Sequence, residues 1–119
     1  MMMLNPKIVF RGESAFVDNF KLFDVVLNNG ITLRVAIGGD GDKTPVLMVH
    51  GHPHTHVIWR KVAPALAKDR KVILVDLRGY GDSSKPESMP DHRPYSKREM
   101  ACDLQLMLQT LGIEQCDFV

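Results

Sequence analysis

Apolar positions change their spacing several times along the 119 residues. Ile31, Leu33, Val35 and Ile37 alternate with Thr32, Arg34 and Ala36. This is the two-residue period of a strand with one buried face and one that is at least partly wet. Phe20 to Leu27 is also rich in strand formers, and Asn28-Asn29-Gly30 supplies residues that tolerate positive φ. Residues 20–37 therefore read as a hairpin. The stretch from Gly38 to Pro45, dense in turn formers, reads as a loop.

The next apolar runs are of another kind. Val46 to Val49 and Val72 to Val75 are unbroken, which suits strands covered on both faces in a parallel sheet. Between them, Thr55 to Lys68 is compatible with helix, and Pro64 breaks that helix or starts a second short one. Strand, helical crossover and strand together predict a right-handed βαβ unit. Further on, Ser96 and Glu99 have the spacing of a capping box, in which side chains at a helix start satisfy unpaired amides. Met100, Leu104, Met107, Leu108 and Leu111 follow on one helical face, and Gly112 stands where a left-handed terminal residue is expected. Cys116-Asp117-Phe118-Val119 begins another strand.

Composition narrows the classes. The length suits one domain, and a net charge of +1 gives no reason to expect nucleic acid or an anionic membrane as partner. No apolar run nears the roughly 18 residues that span a bilayer. The segment Met1 to Lys7 lacks the basic and apolar regions of a secretory signal. Cys102 and Cys116 make neither a disulfide framework nor a metal-type pair, so reduced thiols in a cytoplasmic protein are expected.

Candidate chemistry sits at the ends of the two apolar runs. His50-Gly51-His52-Pro53 follows the first, where glycine permits a tight turn and proline fixes its exit. Alone, the tetrapeptide fits a plain strand-exit turn as well as a functional one. Asp76-Leu-Arg-Gly-Tyr-Gly-Asp-Ser83 follows the second. In it Asp76, Arg78, Gly79, Gly81 and Ser83 are expected to hold the loop through side-chain-to-backbone hydrogen bonds. Histidines at 50, 52, 54 and 56 raise a zinc-type site. The turn at Gly51–Pro53 scatters their rings, however, and no Asp, Glu or Cys stands nearby, so no metal and no cofactor are expected.

Together, the His50-Gly51-His52-Pro53 turn and the pattern D-x-R-G-x-G-x-S, one βαβ unit apart, resemble the α/β-hydrolases that use an aspartate nucleophile. These are the epoxide hydrolases and the haloalkane and haloacetate dehalogenases. Trp59 stands where these families place a tryptophan, here expected to pack, not to touch substrate. Thr55-His56 and Tyr95-Ser-Lys-Arg98 look most like the haloacetate (fluoroacetate-type) dehalogenases. The resemblance runs from about Phe20 to Val119. It implies an α/β fold in which an N-terminal antiparallel hairpin leads into parallel strands with flanking helices. It further implies that residues 1–119 are a partial domain stopping before the nucleophile turn, whose next residues would resemble Gly-His-Asp-Arg-Gly. Two departures stand out. His52 occupies a position usually aromatic in haloacetate dehalogenases and epoxide hydrolases, and His54 replaces a common Gln.

In such relatives a carboxylate displaces halide or opens an epoxide to form an ester, and a histidine then activates water against it. The resemblance gives the His52 backbone amide one role, as a donor of the oxyanion hole, with the side chain facing the substrate cavity. No nucleophile, acid or base is assigned within these residues. Asp103 lies on a capped helix, Asp117 in the last strand, and Asp91 and His92 in a Pro-rich loop. The 119 residues by themselves are expected to be inactive. Their partner would be a small-molecule substrate in the full-length relative, with self-association or complementation through an open sheet edge beside Val46–Val49.

Overall fold

A computed structural model describes residues 7–41, 43–50, 56–85 and 97–119. Strands β1 (Ile8–Glu13), β2 (Lys21–Val26), β3 (Thr32–Gly38), β4 (Lys43–Val49), β5 (Arg70–Val75) and β6 (Asp117–Phe118) form one mixed sheet. Its order is β1-β2-β3-β5-β4-β6. The first three strands and the β3–β5 pair are antiparallel, whereas β4 runs parallel to both β5 and β6. The expected hairpin is β2 and β3, closed by hydrogen bonds from Leu27 N–H to Ile31 O at 2.8 Å and from Gly30 N–H to Leu27 O at 3.1 Å. The expected βαβ unit is β4, its crossover and β5.

Why Val46–Val49 of β4 and Val72–Val75 of β5 are unbroken apolar runs is plain from what covers them. Leu47, Ile73 and Val75 join Val25, Leu33, Val35 and Met107 in one cluster, covered by helix α2 (Lys97–Thr110). Val46, Met48, Val72 and Leu74 face the other way, into a cluster with Val17, Phe20, Ala36 and Ala63. Ala63 opens the short helix α1 (Ala63–Leu66), which has Pro64 in its first turn where a missing amide proton costs nothing. A 3₁₀ turn over His56–Trp59 precedes it, so Pro64 does start a second short helix. Side chains alternate across the sheet, yet both faces are dry; each buried apolar side chain contributes about 1.5–3 kcal/mol.

Three expectations need correction. The polar face of β3 is drier than the alternation implies, because Ala36 is fully buried beneath Val17 and Phe20 of the segment between β1 and β2. β4 begins at Lys43, so Thr44 and Pro45 belong to the strand and not to the loop. The register slips between Lys43 and Val46, an irregularity where proline's lost donor is tolerated. Strand β1 has no counterpart in the sequence reading. Its exposed positions show no clean alternation, and a bulge between Phe10 and Gly12 interrupts its pairing with β2.

Helix α2 ends as its sequence requires. Gly112 has φ 75°, with Ile113 N–H bonded to Leu108 O and Gly112 N–H to Gln109 O, the paired bonds of a left-handed C-terminal cap. Leu104, Leu108 and Leu111 pack against the first cluster as expected, Leu106 joins them, and Met100 is partly buried. Ser96 of the capping box lies outside the described residues. No described helix is long and apolar enough to cross a membrane.

Candidate active site

Parallel pairing brings the ends of β4 and β5 together. Val49 sits opposite Val75, so His50 and Asp76 leave the sheet side by side. Both are almost wholly buried. The His50 ring reaches across the gap, and its Nε2 accepts the Leu77 N–H at 3.0 Å. Tyr80 meets the same ring edge-on, centroids 5.1 Å apart.

After Asp76 the chain folds back along β3. Asp76 N–H donates to Arg34 O at 2.9 Å, and Ser84 N–H to Thr32 O at 2.8 Å. The Ser83 hydroxyl donates to Asp76 O and accepts the Arg34 N–H at 2.8 Å. Ser84 Oγ accepts the Thr32 N–H at 2.8 Å, and Gly79 N–H donates to Ser84 O at 2.7 Å. Gly81 has φ 52°, and a Cβ there would stand 2.3 Å from Asp76 Oδ2. The carboxylate of Asp76 thus occupies the space a side chain would need. It also accepts the Asp82 N–H at 3.4 Å.

Arg78 also makes a side-chain pair across the fold. Its guanidinium donates from Nε and Nη2 to the two carboxylate oxygens of Asp103 on α2, both at 2.6 Å. Asp103 is fully buried, and its Oδ1 also accepts from Asn29 Nδ2 at 2.9 Å. Asn29 Oδ1 in turn accepts the Ile31 N–H at 3.1 Å. So the hairpin turn, the loop after β5 and α2 meet on one carboxylate. Neither Asp103 nor Asn29 was singled out from sequence for this role. The available signal was an aspartate four residues before Met107, on a face that is otherwise apolar.

A second ionic group braces the sheet. Asp24 accepts from Arg11 Nε and Arg34 Nε, both at 2.6 Å, and Arg34 also reaches Asp82 at 3.1 Å. Burial pushes the Asp24 carboxyl up, but the Arg34 and Arg11 hydrogen bonds and charges outweigh it and hold the group below its ordinary range. Asp117 faces Arg70 Nη1 at 3.3 Å.

Gly51, His52, Pro53 and His54 lie outside the described residues, as do Asp91 and His92. Trp59 packs against the cluster that contains Met48 and Ala63. Among the described residues no group of three or more His, Cys, Asp or Glu side chains could hold a metal ion.

His50 at the end of β4 and the loop after β5 meet at the carboxyl edge of a parallel strand pair. The chain belongs to the α/β-hydrolase fold family, whose sequence profile matches residues 44–119. It is 44% identical over 89 residues to a fluoroacetate dehalogenase from Burkholderia sp., covering 75% of this chain and 29% of that protein. It is 38% identical over 87 residues to a soluble epoxide hydrolase from Corynebacterium sp., covering 73% of this chain and 28% of that one. Among solved structures, a Salmonella enterica protein provisionally described as an acyltransferase superposes with a TM-score of 0.88 at 54% identity. That match covers 92% of this chain and 36% of the other. The chain therefore spans under a third of the length of both named enzymes.

Proposed function

We propose that these residues form the N-terminal part of a haloacetate dehalogenase-like hydrolase of the aspartate-nucleophile type. The observation that carries the reading is the 44% identity to a fluoroacetate dehalogenase, in a stretch where His50 at the end of β4 bonds the loop after β5. In this chemistry a carboxylate oxygen attacks the carbon bearing the halogen. The carbon–halogen bond breaks, and halide leaves with the electron pair. Water then adds to the carbonyl carbon of the resulting ester while a base takes its proton. The carbonyl oxygen gains negative charge, and collapse breaks the bond to the alkoxide, which takes the proton held by the base and leaves as the alcohol, while the carboxyl loses its proton to solvent and is restored as carboxylate. The His52 amide is one donor to that oxygen, and the nucleophile and base are assigned to no residue in this chain. A cytoplasmic setting suits the free thiols of Cys102 and Cys116.

Halide release from fluoroacetate and chloroacetate by the full-length protein tests this directly. Turnover of epoxides without halide release would instead favour the epoxide hydrolase reading, in which the same ester forms by ring opening. The Salmonella enterica neighbour supports one further alternative, acyl transfer from an ester through the same oxyanion hole. A burst of nitrophenol from a nitrophenyl ester, with no dehalogenation, would select it.

A further inference from the structure

We infer that His50 makes the joint between the end of β4 and the loop after β5 an acid-released latch, closed while its ring is neutral and opened when the ring takes a second proton. This property belongs to the carboxyl edge of the sheet and is independent of the reaction proposed above. β4 ends at Val49, and the His50 ring that follows is 4% exposed. Its Nε2 takes the Leu77 N–H at 3.0 Å, and Tyr80 meets it edge-on with centroids 5.1 Å apart.

An amide N–H can only donate, so Nε2 offers a lone pair and the neutral ring holds its proton on Nδ1. A proton that binds this lone pair sets one N–H against another. Turning the ring over gives no escape, because imidazolium carries an N–H on both nitrogens and has no acceptor. At this burial the new charge is kept from water, so the Leu77 segment must move away before the cation is hydrated. The closed joint thus excludes a proton that the open joint binds, and acid favours opening. Neighbouring charges set the pH at which this happens. Asp76 leaves the sheet beside His50, and its negative charge favours the imidazolium. Arg78 opposes that charge but is matched by Asp103, with Glu99 4.0 Å away, and Arg34 is matched by Asp24 and Asp82. The far end of the loop does not open with the joint, because Ser83 and Ser84 bond it to β3.

Amide exchange in the full-length protein between about pH 8 and pH 5 reads the latch. Relative to its unprotected rate, exchange at Leu77 should quicken by up to about tenfold for each pH unit below about 6.5, the ordinary imidazole value. Arg34 and Ser84 should keep their protection over the same range. His50→Gln, whose Oε1 accepts the Leu77 N–H at every pH, should leave Leu77 protected throughout. If that variant does not fold, nitrogen-15 spectra of the ring in the unaltered protein decide instead. They should show the Nδ1–H tautomer in the closed joint, with the second proton arriving as Leu77 is released. An Nε2–H tautomer, a Leu77 protection that acid leaves unchanged, or the same pH dependence in His50→Gln overturns the inference. Asp24 does not mimic the effect, since its carboxyl titrates below 3.8.

Discussion

Arg78 holds Asp103 with two hydrogen bonds of 2.6 Å, tying the loop after β5 to the middle of α2. Both side chains are withdrawn from water, at 6% and 1% exposure. At that burial, removing Asp103 takes from Arg78 its two short hydrogen bonds and leaves only the longer approach of Glu99 at 4.0 Å, which costs up to about 3–5 kcal/mol. Asp103→Ala should therefore lower the urea midpoint strongly. The double change Arg78→Met with Asp103→Leu should recover most of the stability, since no charge is left buried. A double variant as unstable as Asp103→Ala would refute this account.

Gly81→Ala should destabilise the protein by on the order of 2 kcal/mol or more. Alanine is strained at φ 52°, and its Cβ would collide with Asp76 Oδ2. Pairing it with Asp76→Ala removes the collision but not the backbone strain. Thermal unfolding of the two variants separates these causes: if the collision matters, the second change relieves part of the loss.

Ser83→Ala should cost about 1–3 kcal/mol, because two buried backbone partners lose their bond at once. The hydroxyl bridges Asp76 O and the Arg34 N–H. Faster hydrogen exchange at Arg34 in the variant is the expected signature. An unchanged exchange rate there would show that the bridge does not hold the loop.

Acid should weaken the protein partly through Asp24. Its folded carboxyl titrates below the ordinary 3.8, so the unfolded chain binds the proton first as pH falls. The contribution is complete above about pH 4 and disappears as pH falls through the folded value. Asp24→Asn should flatten the slope of stability against pH below about 4, measured by urea titrations at several pH values. An unaltered slope would mean the Arg11 and Arg34 contacts do not favour the charged form.

Much of this organisation is written in local sequence. Continuous apolar runs mark β4 and β5, Asn29-Gly30 marks the hairpin turn, and Gly112 marks the end of α2. Each is set by neighbours a few residues away, through period, turn geometry or capping.

What the sequence by itself determined is therefore the class of fold and the hairpin and crossover unit. Tertiary structure decided the rest. β1 pairs only because β2 offers an edge, and its own pattern is broken by a bulge. Asp103 becomes the junction of three segments because packing α2 on the sheet brings it to Arg78 and Asn29, 25 and 74 residues away in the chain. His50 finds Leu77 only once β4 and β5 lie parallel and in register. Hydrogen bonds between distant residues depend on a register that no local window specifies.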